Sequence, residues 1–237
     1  MRELMLEAPS GRILDPDDQM FAHNVAHYGI IRYSEELVVH RSGIKGHWYV
    51  SVREEVTDNP YLARIVGRMV RDAVRKTQRT FMNSRRPCLI GVPQAGNILA
   101  QAAAMSSLDD MQCGEQVICW RQMRTRPEEY GLYPGRYIDG DPEPERHRYA
   151  FIGNTTTTGG SVLDAIMNAK KDGYPVDEMP IYVFIDNGHG GVERIKEQGL
   201  PVTVMYYASD LIWFFDRHNL WPEKRINGVK DEMGWTW

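Results

Sequence analysis

The amino-acid sequence predicts an α/β fold, a parallel sheet flanked by helices with a small N-terminal hood. Three observations carry that expectation. From Cys88 onward, short apolar runs alternate with helical segments of about ten residues, the rhythm of βαβ units. The strand candidates are largely apolar rather than alternating, as strands buried on both faces are. Three of the segments leaving these strands are rich in glycine and small polar residues, and ligands of open parallel sheets sit at that carboxyl edge.

The elements follow in order. Residues 17–31 read as a helix, with Phe21, Val25 and Tyr28 at helical spacing. Residues 37–40 and 48–52 read as two short strands around Ser42, Gly43 and Gly46, a hairpin-like unit. Asn59-Pro60 opens an amphipathic helix with Leu62, Ile65, Val66, Met69, Val70 and Ala73 on one face. Strands are expected at 88–92, 116–120, 148–152, 181–186 and 202–206. Helices are expected at 96–105, 162–171 and 191–198, and from a capping Ser209 to 216. The implied organisation is a hood and hairpin at 1–58, an α/β core at 59–218 and an aromatic C-terminal tail at 219–237. Trp213, Phe214, Phe215, Trp221, Trp235 and Trp237 crowd this end, to be buried against the body or against a partner.

Composition narrows the function. The chain has 237 residues, 42% hydrophobic and 25% charged, enough for one substantial core. A formal charge of −4 gives no global nucleic-acid footprint. The local cluster Arg121, Arg124 and Arg126 could still serve a phosphorylated small molecule, or be a solvated loop. No apolar run approaches the roughly 18 residues of a membrane span, and no signal peptide is recognisable. The expectation is a cytoplasmic protein without membrane or nucleic-acid partners. Cys88, Cys113 and Cys119 lack metal-ligand spacing, and Cys88 and Cys119 lie in apolar runs as reduced core residues. His23 and His27 lie four apart on a helix with no third ligand, so no metal site is expected. His189, in the 187–191 loop, either faces a ligand or stands exposed.

The most informative stretch is 148–161, RYAFIGNTTTTGGS. A strand, Tyr149-Ala150-Phe151-Ile152, runs into Thr155, Thr156, Thr157, Thr158, Gly159, Gly160 and Ser161 and then a helix. Glycines let several N–H groups converge, hydroxyls add donors, and the helix dipole favours negative charge. The expected ligand is a phosphate monoester. Pro93, Gln94, Ala95 and Gly96 leave one neighbouring strand and residues 187–191 another, so one pocket built by three loops is the geometric expectation.

Five motifs, in order, resemble those of the orotate phosphoribosyltransferases, a family of the type I phosphoribosyltransferases. HRSGIKGHWY at 40–49 is similar to the family's LKSGRxSxxY hairpin, and LIGVPQAG at 89–96 to its IVGVPTGG pyrophosphate loop. RTRPEEYG at 124–131 sits where the family has its mobile RKxxKxHG loop. Residues 152–161 resemble VDDVITTGGS, and FIDNGHGG at 184–191 resembles LVDRxxGG. The resemblance implies the type I fold, a homodimer, and transfer of a phosphoribosyl group from its magnesium-bound pyrophosphate donor to a pyrimidine base. It implies a base pocket at Arg41, Ser42, Gly43, Tyr49 and Asn187.

The carry-over splits. The cradle at 157–161 is intact, as are Ser42, Gly43, Tyr49, Pro93, Gly96, Arg124 and Gly131. The departures fall on groups that handle charge. Gly153 and Asn154 replace the paired aspartates that hold the ribose hydroxyls. Thr125 and Glu128 replace two lysines, Tyr130 a histidine, Asn187 an arginine and Arg41 a lysine, while Gln94 and Ala95 alter the pyrophosphate loop. Each lost charge-assisted contact is worth about 1.5–3 kcal/mol, and about 1.4 kcal/mol is tenfold in rate.

The reading is therefore a protein that binds a nucleoside monophosphate or ribose 5-phosphate ligand, with standard transferase activity weak or lost. One alternative is an active, divergent transferase, for which Arg124, Arg126 and Asp186 are candidate catalytic groups and Asp164 and Glu193 further acids. The other is a non-binding scaffold. No cofactor is expected, and magnesium enters only where transferase activity is retained.

Overall fold

The computed structural model describes residues 5–40, 42–78, 85–109, 117–132 and 134–237. Arg41, Cys113 and Gln116 therefore lie outside the described residues.

Two short strands open the chain, β1 (Leu6–Glu7) and β2 (Ile13–Leu14), paired antiparallel. Helix α1 (Pro16–His27) starts at a capping box, in which the Asp15 carboxylate accepts the Asp17 and Asp18 amides. The hood hairpin pairs β3 (Ile31–Val39) with β4 (Lys45–Val50). Its first strand is six residues longer at the N-terminal end than 37–40, because Ile31 to Tyr33 also pair with β4. Helix α2 (Val52–Asp58), absent from the sequence reading, follows at once. In α3 (Pro60–Gln78), Leu62, Val66, Val70 and Val74 are all fully buried, the expected face extended by one turn. Asn59 Oδ1 accepts the amides of Tyr61 and Leu62 at its start.

The core is one five-stranded, wholly parallel sheet in the order β6-β5-β7-β8-β9. Its strands are β5 (Arg86–Gly91), β6 (Cys119–Arg121), β7 (His147–Thr156), β8 (Ile181–Asp186) and β9 (Val202–Tyr207). Between and after them run α4 (Ala95–Ser106), α5 (Gly160–Lys171), α6 (Gly191–Lys196) and α7 (Ala208–Arg217). One buried cluster runs from the hood through α3, α4 and α7, and a second lies where α5 and α6 pack on the sheet. Gly67 lets α3 approach the Ala102 carbonyl of α4 closely enough that any Cβ would clash. Cys88 is buried in the sheet, and burial pushes its thiol up to about 12, an inert group.

Several boundaries correct the sequence reading: α1 ends at His27 rather than 31, because Ile31 pairs in β3, and β6 is Cys119–Arg121 rather than 116–120. Strand β7 runs to Thr156 rather than stopping at 152, because Thr155 and Thr156 continue the ladder opposite Ile185 and Asp186. Helix α7 starts at Ala208, with Tyr207 at the cap and no side-chain cap bond, so Ser209 is a helical residue.

The stretch 219–237 holds a further helix, α8 (Glu223–Met233), ended by Gly234 at φ +66°. Glu232 accepts the His47 amide at 2.9 Å, and Trp235 meets Trp48 with ring centroids 5.9 Å apart. Trp237 Nε1 donates to Asp216 at 2.9 Å. These aromatics pack against the body of their own chain. No helix among the described residues is long and apolar enough to cross a membrane.

Candidate functional site

At the carboxyl edge of the sheet, between β7 and the hood, lies a cleft of about 620 Å³. Its floor is the end of β7 and the turn into α5, Gly153 to Val162 without a break. Pro93, Gln94 and Ala95 form one wall, His40, Ser42 and Tyr49 of the hairpin another, and Asn187 closes the β8 side. His40 and Asn187, 147 positions apart in sequence, thus line one cleft, where the three loops were expected to meet.

The turn is shaped by two glycines. Gly159, at φ +75°, caps α5 in a conformation that L side chains rarely adopt. Gly191, at the start of α6, lies so close that a Cβ there would overlap Thr156 and the Thr157 carbonyl oxygen and come within 2.8 Å of the Gly159 nitrogen. No side chain caps α5, so its first N–H groups, which have no intrahelical acceptor, remain available to an anion. Asn187 braces the turn, donating its amide to the Thr156 carbonyl at 3.0 Å and its Nδ2 to Thr157 Oγ1 at 3.4 Å.

The candidates do not all gather. Thr155 to Ser161, Gly153, Asn154, Pro93, Gln94, Ala95, Ser42, Tyr49 and Asn187 line the cleft. Gly96 does not; it lies under the Ile152 carbonyl, where it lets α4 pack on β7. Gly43 supplies the exposed hairpin turn at φ +84° instead of a wall. Arg41 lies outside the described residues.

The three catalytic candidates also lie off the cleft. Arg124 is neutralised by Glu128, at 2.8 Å, and by Asp139, both from its own loop. Arg126 is exposed on a neighbouring groove. Asp186 turns back onto its own chain, accepting the Gly188 amide at 3.2 Å. Burial raises its carboxyl above the ordinary value. The native state therefore keeps that proton to higher pH than the unfolded chain does. Its contribution to stability declines as pH rises from the ordinary aspartate value through the raised one. Asp186→Asn is expected to raise the thermal midpoint at pH 7 by about 2 °C, with the gain lost below about pH 3, where the carboxyl is protonated in both states. Melting curves at the two pH values check this.

Of the further acids, Asp164 lines the cleft and Glu193 is an exposed residue of α6. His189 lies half-buried beside the site, its imidazole held below its usual value by burial and by nearby His40. His23 contacts Phe214 and His218 through its ring, and no cluster of metal-ligating residues exists among the described residues.

Sequence reasoning missed α2, which brings Arg53 and Glu54 to the cleft. Arg53 is the one Lys or Arg among the described lining residues, and its Nη1 donates to Gln94 Oε1 at 2.8 Å. The signal was present as Ser51-Val52-Arg53-Glu54, an S-x-x-E helix start. In the structure the Ser51 hydroxyl donates to Glu54 itself, at 3.0 Å.

Magnesium asks for hard, charged oxygen ligands, commonly one or two carboxylates beside phosphate oxygens. At 153–154 the chain offers a glycine and a neutral carboxamide, and the neighbouring floor is hydroxyls and backbone. These residues do not fit a carboxylate-held magnesium ion.

No family model matches the chain. It is 26% identical over 169 residues to the orotate phosphoribosyltransferase of Methanothermobacter thermautotrophicus, covering 71% of this chain and 81% of that protein. The UMP synthase of Leishmania donovani superposes with a TM-score of 0.68 at 18% identity, over 92% of this chain and 42% of that one. The Mycobacterium tuberculosis orotate phosphoribosyltransferase, solved with 5-phospho-α-D-ribosyl 1-diphosphate, gives a TM-score of 0.56 at 21% identity, over 83% and 99%. The fold is that of the type I phosphoribosyltransferases. In sequence the chain is orotate phosphoribosyltransferase-like, and its uncapped α5 turn lies within the stretch that carries the resemblance.

Proposed function

We propose that this protein binds a nucleoside monophosphate or another ribose 5-phosphate ligand in the cleft, with the standard transferase activity weak or lost. The observation that carries the reading is the pairing of an open, uncapped α5 turn with an uncharged strand end at Gly153 and Asn154. The first suits a phosphate monoester, and the second lacks the charge that a metal-bound pyrophosphate donor demands. The pairing of Arg124 with Glu128 and Asp139 adds to it, since that guanidinium's charge is already met.

A second reading, a divergent transferase, is favoured by Asp164 and Glu54, which bring two carboxylates to the cleft. Calorimetry with uridine monophosphate, orotidine monophosphate and the phosphoribosyl pyrophosphate donor, with and without magnesium, separates the two. Metal-independent binding of a monophosphate is the expected result. Magnesium-dependent binding of the donor would turn the assignment to the transferase, and no binding at all to a scaffold.

Gly160 gives a local check. A Cβ there meets only the Thr158 hydroxyl, at 3.9 Å, so a larger side chain is directed at free space in the cleft. Gly160→Val is expected to fold normally and to weaken monophosphate binding by at least about tenfold, the cost of one charge-assisted contact. Unchanged affinity would place the phosphate elsewhere.

A further inference from the structure

Beyond Gln94, between α2, α4 and the edge strand β6, lies a second hollow of about 830 Å³. Arg53, Glu54 and Gln94 line both it and the cleft, so they form the saddle between the two. Trp120 of β6 and Ile98 of α4 give the hollow its apolar surface, and Gln101 and Gln122 border it with exposed carboxamides. Asn97 fixes α4 to the end of β6. Its Nδ2 donates to the Met123 carbonyl at 2.8 Å, and its Oδ1 accepts the Met123 amide at 3.0 Å. A monophosphate in the cleft makes no use of this second space.

The lining says what fits. An indole beside neutral amides suits a flat heteroaromatic ring, which stacks on the one and exchanges edge hydrogen bonds with the others. Glu54 and Asp58 stand four apart on α2 and bring two carboxylates to the hollow, so a phosphate is disfavoured within it. Arg53, at the saddle, is the one Lys or Arg among the described lining residues of either space. Its Nη1 donates to the neutral Gln94 Oε1 at 2.8 Å, and its nearest approach to Glu54 is 3.9 Å. Glu54 meanwhile accepts the Ser51 hydroxyl at 3.0 Å. The half-exposed guanidinium is thus only loosely neutralised, and a phosphodiester crossing the saddle would meet its charge.

We propose that the hollow is a second ring-binding site, and that the ligand spanning both spaces is a 5′-phosphorylated dinucleotide. Its terminal phosphate lies in the α5 turn, its linking phosphate against Arg53 and its second base against Trp120. This rests on the reading of the cleft as a phosphate monoester site. A monoester, a diester and a neutral ring, in that order, match an uncapped helix end, a single cation and an aromatic surface bordered by amides. The gain over a mononucleotide comes from joining two sites on one backbone, not from a tighter phosphate contact.

The test is calorimetric titration of the full chain with uridine monophosphate, with the 5′-phosphorylated dinucleotide pUpU, and with UpU, which lacks the terminal phosphate. The pUpU ligand is expected to bind at least about tenfold more tightly than the monophosphate, the increment of one stacked base. UpU is expected to bind at least about tenfold more weakly than pUpU, for want of the contact to the α5 turn. Trp120→Leu and Gln101→Trp, the latter filling the hollow, are each expected to abolish the preference for pUpU and leave uridine monophosphate binding unchanged. Gln101 is an exposed residue of α4, so its variant reads the hollow even where loss of Trp120 loosens β6. Equal affinity for pUpU and the monophosphate, or a preference that survives Gln101→Trp, would overturn the inference and leave the phosphate reading standing. Dissociation of an oligomer by Gln101→Trp, seen in sedimentation, would overturn it too, giving the hollow to a second copy of the chain. UpU matching pUpU, or no binding of either phosphorylated ligand, would overturn both.

Discussion

Gly191→Ala is expected to unfold the phosphate turn from outside it. The added methyl would overlap the Thr156 side chain and the Thr157 carbonyl, and would sit within 2.8 Å of the Gly159 nitrogen. Backbone cannot step aside as the end of a flexible side chain can, so β7 and α6 must part. Overpacking of this kind costs about 3 kcal/mol, a fall of about 9 °C in the thermal midpoint for a chain of this size. Because the displaced atoms belong to the turn, monophosphate affinity is expected to fall at least about a hundredfold as well, some 2.7 kcal/mol. Thermal unfolding and calorimetry read the two losses separately. A variant destabilised but binding normally would mean that α6 does not shape the anion site.

The second large effect is a gain. Replacing both Gly153→Asp and Asn154→Asp puts two carboxylates where the family resemblance expects them. Space allows it: a Cβ on Gly153 finds Val162 Cγ2 at 3.4 Å and the Tyr182 carbonyl at 3.8 Å, both ordinary contacts. With negative charge at the strand end, magnesium has ligands of the type it prefers. The double variant is expected to bind the phosphoribosyl pyrophosphate donor at least about a hundredfold more tightly with magnesium than without. The unmodified protein is expected to show no such dependence. Titration of both proteins at matched ionic strength decides it. A double variant indifferent to magnesium would mean that more than these two positions separates the cleft from a metal-using one.

How much of this was legible in the sequence depended on whether the deciding forces were local. The βαβ rhythm and the glycine-threonine turn are local, and strand, turn and helix stand nearly where periodicity puts them. The extra length of β7 is not local, since only the ladder with β8 keeps Thr155 and Thr156 extended. Asp186 stands at the correct end of a correctly placed strand, yet its carboxylate is taken by the Gly188 amide, a direction that spacing cannot give. Arg124 was read as a cation for phosphate, but its partners Glu128 and Asp139 come from a loop whose folding back sequence does not show. Helix α8 was passed over because its stretch is polar, with Gly228 in its interior. That glycine is where Tyr33 of the hood comes close, its hydroxyl 3.0 Å from where a Cβ would be.

That last helix bears on the order in which the molecule is put together. His47 and Glu232 are 185 positions apart, and Trp48 meets Trp235 across a similar span. Trp235 also lies against Gly188, on the loop that follows Asn187. Contacts of such separation close long loops, and the sheet and helices between them are what bring their ends together. The hairpin wall of the cleft thus acquires its backing only once 223–237 has docked, and a chain interrupted before that segment has the phosphate turn without a finished wall opposite it.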